Sequence, residues 1–237
     1  MRLKVKYTAW LMCVLFLSTA FRVSAFSNES LPYVISYKWG LIHKDAGEAT
    51  LRLERKDDNY NVSLVAKTKP WADKVYMVRD TLLGTIRIKD MKPLSYSKIA
   101  HEKGKYSRDD IHYSHNGESS TGHVKRLRIK KNVPVTSEKN LSASGPVYDM
   151  LSIFYYLRQL DYSQLNKNKI YTATVFSGEK KEKVRIRSLG IEKIKLKDKT
   201  EREAYHIRFN FTREGGKKSS DDIDTWISTT PEHIPLY

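Results

Sequence analysis

The chain has 237 residues, of which 43 are Lys or Arg and 27 Asp or Glu, for a formal charge of +16, and 40% are hydrophobic. That length suits one large β domain or two small ones, and is enough to bury a core. The single cysteine, Cys13, excludes a disulfide framework, and the basic residues are scattered in doublets such as Lys130-Lys131 and Lys180-Lys181, with no block of five like charges.

The first 25 residues read as a secretory signal. Arg2, Lys4 and Lys6 precede an uncharged apolar run that includes Ala9 to Leu17, and Val23-Ser24-Ala25 places small residues before a cut. The apolar run is short for a membrane-spanning helix, which needs about 20 residues. Cys13 lies inside that run rather than at the cut, so the chain is not expected to be a lipoprotein. Cleavage near Ala25 predicts a periplasmic or secreted protein that begins at Phe26. Removing 25 residues leaves 212, and the loss of Arg2, Lys4, Lys6 and Arg22 lowers the charge to about +12. Export argues against nucleic acid as a partner. A basic surface outside the cytoplasm serves either solubility or contact with an anionic membrane or lipopolysaccharide.

Beyond the signal, period-two alternation dominates. Leu51 and Leu53, then Val62, Leu64 and Ala66, alternate with polar neighbours across a hairpin turn at Asp57-Asp58-Asn59. Pro70, Trp71 and Ala72 predict a short helix. Alternation returns at Ile86 and Ile88, Leu127 and Ile129, Val184 and Ile186, Ile194 and Leu196, and Ile207, Phe209 and Phe211. One face buried and one solvated is the pattern of antiparallel sheet. The segment from Val147 to Leu160 breaks it and predicts a central helix, capped by Ser144 with Pro146 in the first turn. That helix is apolar nearly all round, as expected of a buried element or the cover of an apolar cavity. Gly215 to Ser220 reads as a loop between strands.

Four motifs, in order, carry a family resemblance. They are Tyr37-Lys38-Trp39-Gly40-Leu41-Ile42 with Ala46-Gly47-Glu48-Ala49, Tyr76-Met77-Val78-Arg79-Asp80-Thr81, Asp149 to Arg158, and Thr225-Trp226-Ile227-Ser228 with Ile234-Pro235-Leu236. Together they resemble the exported bacterial family known as domain of unknown function 3108, from about Tyr33 to Tyr237. The resemblance implies a single all-β domain over 26–237, mostly antiparallel with one central helix. The expected form is a curved sheet or open β-barrel similar to periplasmic lipoprotein carriers. Relatives continue past the Ile-Pro-Leu motif into further strands, which implies a truncated end or a sheet that closes differently.

Chemistry is sparse. His112 and His115 are three apart in a strand-like stretch and point to opposite faces, and the other histidines lack ligand spacing, so neither metal nor cofactor is expected. No Gly-x-Ser-x-Gly elbow or phosphate loop occurs. Asp109-Asp110 and Asp221-Asp222 read as solvated loop acids. The expectation is a non-catalytic binding or carrier module for an apolar or lipid-like ligand, with an envelope assembly factor that binds other proteins as the alternative. Trp39, Tyr76, Tyr155, Tyr156 and Trp226 either line its pocket or fill an ordinary core. Arg79, Asp80 and Arg158, with Asp149, sit in apolar surroundings, where a charge needs a partner. They form either a buried ion pair between sheet and helix or a polar anchor for the ligand.

Overall fold

A computed structural model of the chain describes residues 26–39, 42–165, 168–213, 216 and 220–236. The predicted signal, Met1 to Ala25, lies outside them. Eight strands form one antiparallel meander: β1 (Glu29–Trp39), β2 (Ile42–Lys56), β3 (Asn59–Thr68), β4 (Val78–Arg87), β5 (Pro93–Glu102), β6 (Lys105–Asn116), β7 (Ser119–Lys130) and β8 (Val133–Ser144). Each strand pairs with its sequence neighbour, and β1 and β8 remain the two edges, so the sheet does not close into a barrel. The predicted hairpin at Asp57-Asp58 joins β2 to β3. Helix α1 (Pro70–Tyr76) is where Pro70 predicts it, with the proline in its first turn.

A second sheet runs in the order β13-β12-β11-β10-β9, with β9 (Val147–Tyr148), β10 (Tyr171–Ser177), β11 (Lys180–Lys195), β12 (Glu201–Arg213) and β13 (Ile223–Ser228). Helices α2 (Ser152–Arg158) and α3 (Tyr162–Leu165) connect β9 to β10. The described part of the 215–220 segment falls between β12 and β13, as expected of a loop.

The central helix is half the predicted length. Val147 and Tyr148 are extended and pair in parallel with Thr174 and Val175, so Pro146 opens a strand rather than a helix. The cap is Asp149, not Ser144. Asp149 Oδ1 accepts from the N–H groups of Leu151 and Ser152 at 2.7 and 2.8 Å, and Ser152 Oγ accepts from Asp149 N–H at 2.8 Å. This reciprocal pair satisfies donors that a helix start leaves orphaned.

The structure also explains why the helix has so little polar face. Leu151 and Tyr155 join the core of the eight-stranded sheet, with Leu51, Leu53, Tyr60, Val62, Ile86 and Ile111. Leu157 joins a second core with Tyr148, Val175, Val184, Ile207 and Ile227, against which Ile153 and Tyr156 also pack. Strand β10 divides in the same way, with Phe176 in the first core and Val175 in the second.

Candidate functional site

Residues directly opposite each other on paired strands share a face, so the register maps the inner face of the large sheet in rows. The row Val62, Gly84, Tyr96, Ile111, Val124 is core. One row further along, the sheet carries Leu64, Leu82, Lys98, Asp109, Arg126 and Ser137. The next carries Ala66, Asp80, Ala100, Ser107, Arg128 and Val135. The inner face therefore turns from apolar to charged within two residues on β5, β6 and β7, and within four on β4. The charged part forms an open trough. One cleft of about 410 Å³ lies between this face, Met150 and the β10–β11 turn, and a second of about 470 Å³ extends to Tyr76; Arg128 lines both.

Asp109 organises the trough. It is 7% exposed and accepts from Arg126 Nε and Arg128 Nη2, both at 2.9 Å. Burial alone pushes its carboxyl up, but the hydrogen bonds from Arg128 and Arg126 outweigh burial and hold it below the usual range. Arg126 Nη1 also donates to Glu179, at 2.9 Å. The two guanidinium groups are thus held rigid, the state in which arginine recognises carboxylate or phosphate. Five cations, Lys98, Arg126, Arg128, Lys180 and Arg213, line the first cleft against two carboxylates, Asp109 and Glu182. Leu82, Tyr96 and Met150 supply its apolar wall. Asp80 lies in the neighbouring row with Lys98 Nζ at 3.8 Å, and its Oδ1 is buried without a hydrogen-bond partner among the described residues. Burial raises the Asp80 carboxyl above its ordinary value.

Among the described residues no three His, Cys, Asp or Glu side chains are grouped to hold a metal ion. A model of the family described as "Protein of unknown function (DUF3108)" matches residues 32–237, nearly the whole chain. The chain belongs to the DUF3108 family. Comparison with curated proteins and with solved structures returns no match.

The residues expected to form the site of this DUF3108 chain do not converge. Tyr76 and Asp80 do meet at the trough: Tyr76 OH donates to Glu102 Oε2 at 2.8 Å, one residue pair along the inner face from Asp80. Tyr155 is fully buried against Phe26 and Phe154. Tyr156 stacks on Tyr148 at 4.5 Å in the other core. These two tyrosines fill interiors and share no pocket, because adjacent helix positions face different cores. Trp226, on β13, stacks on His206 at 4.6 Å and donates through Nε1 to Glu192, far from the trough. Trp39 ends β1 opposite Ile42, and its side chain lies outside what is described.

Among the described residues no ion pair joins Arg79 or Asp80 on the sheet to Asp149 or Arg158 on the helix segment. Arg79 pairs with Asp73 at 2.7 Å, and Asp80, adjacent on the strand, faces the opposite side. Arg158 pairs with Glu29, not with Asp149, which is spent on capping the helix. Arg158–Glu29 is an ion pair between helix and sheet, but its sheet partner is neither Arg79 nor Asp80. Nothing in the sequence pattern sets Lys98, Arg126 and Arg128 apart from the other scattered cations. Asp109-Asp110 reads as a loop pair in the sequence but lies in β6, with Asp110 on the outer face accepting from Ser97 and Arg108. On β7 the alternation of Leu127 and Ile129 marks the outer face, while Val124, Arg126 and Arg128 share the inner one. The missed signal was phase: Asp109 is two residues from buried Ile111, and Arg126 two from buried Val124.

Proposed function

We propose that this protein is an exported, non-catalytic binding or carrier module of the cell envelope, and that its ligand is an anionic, lipid-like amphiphile. The observation that carries this reading is the Arg126–Asp109–Arg128 cluster, fixed on the open part of an otherwise filled inner face. An anionic headgroup takes the guanidinium N–H groups not engaged by Asp109 and Glu179, and a short apolar part lies along Leu82, Tyr96 and Met150. Pockets of this kind combine apolar lining with a few convergent polar groups. The basic rim, Lys180 and Arg213, suits a protein that meets an anionic membrane or lipopolysaccharide surface. The chain's overall positive charge adds to that attraction.

Native mass spectrometry of the mature protein from its own envelope tests this, followed by titration with an anionic and a zwitterionic lysophospholipid. The expected result is a co-purifying anionic lipid, preference for the anionic probe, and loss of both in the Arg126→Gln/Arg128→Gln double variant with its circular dichroism intact. A wild-type protein that takes up neither probe overturns the reading.

A further inference from the structure

β8 is an edge that pairs with no further strand among the described residues, and its outward backbone is open except at Ser142 O. Its phase follows from three observations. Pro134 sits in the ladder opposite Ile129 although it has no N–H to give; Gly145 N–H donates toward β7, to Glu118 O; and Ser142 O accepts from Lys181 Nζ, on the side away from β7. Successive residues of an antiparallel strand alternate between pairing and facing out, so the backbone groups of Thr136, Glu138, Asn140 and Ser142 face out. The other edges are treated differently. The C-terminal segment covers β13, with Ser228 N–H donating to Ile234 O and Leu236 N–H to Trp226 O. β9 has two residues, and β1 carries Pro32 and a bulge at Ile35–Ser36. Prolines, bulges and covering segments are how sheets blunt their edges. Among the described residues, β8 beyond Pro134 has none of them.

A groove runs beside this edge, between residues 139–144 of β8 and the strands β10 to β12. It comprises two hollows of about 370 and 480 Å³ that share Ser142, Lys181 and Arg213. Its cations include Lys139, Lys180, Lys183 and Arg213; its acids are Glu179 and Glu182. Glu179 is engaged by Arg126, and Glu182 lies 3.7 Å from Arg213.

We infer that β8 is a docking edge, which adds an extended, acidic segment of a partner protein as a ninth strand of the large sheet. Main-chain hydrogen bonds supply the affinity in such strand addition, and side chains along the groove supply the choice of partner. Here the choice is for negative charge. The groove shares Lys180, Glu182 and Arg213 with the first trough cleft, but Lys139, Lys183 and Asn140 line neither trough cleft, so variants at these three separate this inference from the lipid reading.

The test is fluorescence anisotropy of the full mature chain with a labelled peptide of alternating Glu and Val, about ten residues long, beside its fully N-methylated counterpart and a Lys-Val peptide. The acidic peptide is expected to bind, the Lys-Val peptide not to bind, and N-methylation to weaken binding at least roughly tenfold. Lys139→Glu/Lys183→Glu should weaken it similarly. Asn140→Pro removes one outward N–H while keeping every charge and every backbone bond to β7, at the loss of the Asn140 Oδ1 contact with His123 Nδ1, and should also weaken it. Equal binding of the acidic and N-methylated peptides means charge alone and overturns the inference, as does failure of the folded wild-type chain to bind the acidic peptide. The N-methylated probe decides the matter even if Asn140→Pro fails to fold.

Discussion

Arg158 and Glu29, 129 residues apart in sequence, meet as a two-pronged ion pair, with Nη1 to Oε1 at 2.5 Å and Nη2 to Oε2 at 3.1 Å. The Arg158 side chain is 1% exposed. Its Nε and Nη2 also donate to Glu232 O, its own carbonyl accepts from His233 Nδ1, and the guanidinium lies 4.5 Å from the Phe26 ring. One side chain on a seven-residue helix thus ties together the start of the first sheet, the central helix and the C-terminal segment. Removing one partner of a buried pair strands the other charge. Arg158→Ala is therefore expected to destabilise the fold by about 3–5 kcal/mol, read as a lower urea midpoint. An unchanged midpoint would mean that the clasp contributes nothing net.

The cap of the same helix predicts a pH dependence. Asp149 is completely buried, its Oδ2 has no hydrogen-bond partner among the described residues, and burial raises its carboxyl to about 6, against the pull of its hydrogen bonds. The folded chain then holds this proton more tightly than the unfolded chain. The stabilisation is complete below the ordinary carboxylate value of 3.8 and is lost as pH rises through about 6, a change on the order of 3 kcal/mol. Asn at this position keeps the cap but cannot titrate. Urea titrations from acid to neutral pH should show wild type losing stability relative to Asp149→Asn across that window. Parallel curves would refute the assignment.

Gly178 connects the turn between β10 and β11 to the trough. Its φ is +55°, and a Cβ there would meet Arg126 Nη2 at 2.7 Å and Asp109 Oδ2 at 3.0 Å. Gly178→Ala should cost about 1–2 kcal/mol from the left-handed backbone. It should also displace the Arg126–Asp109 pair and weaken binding of an anionic lysophospholipid several-fold. Undiminished affinity would show that this pair does not position the ligand.

Phe176 joins the two sheets. It is fully buried in the first core, its ring stacks on Tyr113 at 5.8 Å, and Gly122 lies beneath it, where a Cβ would approach Phe176 Cδ2 to 2.8 Å. Phe176→Ala should destabilise by about 3–5 kcal/mol through the cavity it leaves. Gly122→Ala should cost about 1–3 kcal/mol by overpacking. Thermal unfolding of both variants checks the order; a larger loss for Gly122→Ala would reverse the packing argument.

The sequence by itself determined the fold class, because alternation such as Leu51/Leu53 and Val62/Leu64 follows from the two-residue period of a strand and needs no knowledge of partners. It determined the first helix, because Pro70 suits only an early turn, and the family, through motifs read in order. It could not place β8, whose residues Val133 to Asn140 are all exposed and so carry no alternation to read. Nor could it divide Tyr155 from Tyr156 or choose Glu29 for Arg158, because an apolar or charged side chain does not name the surface it meets. Tertiary structure decided these. Two sheets close on opposite sides of one short helix, which makes that helix apolar on both faces, and the cover ends two residues short of Asp109 and Arg126, which leaves the charged rows of the inner face open to solvent.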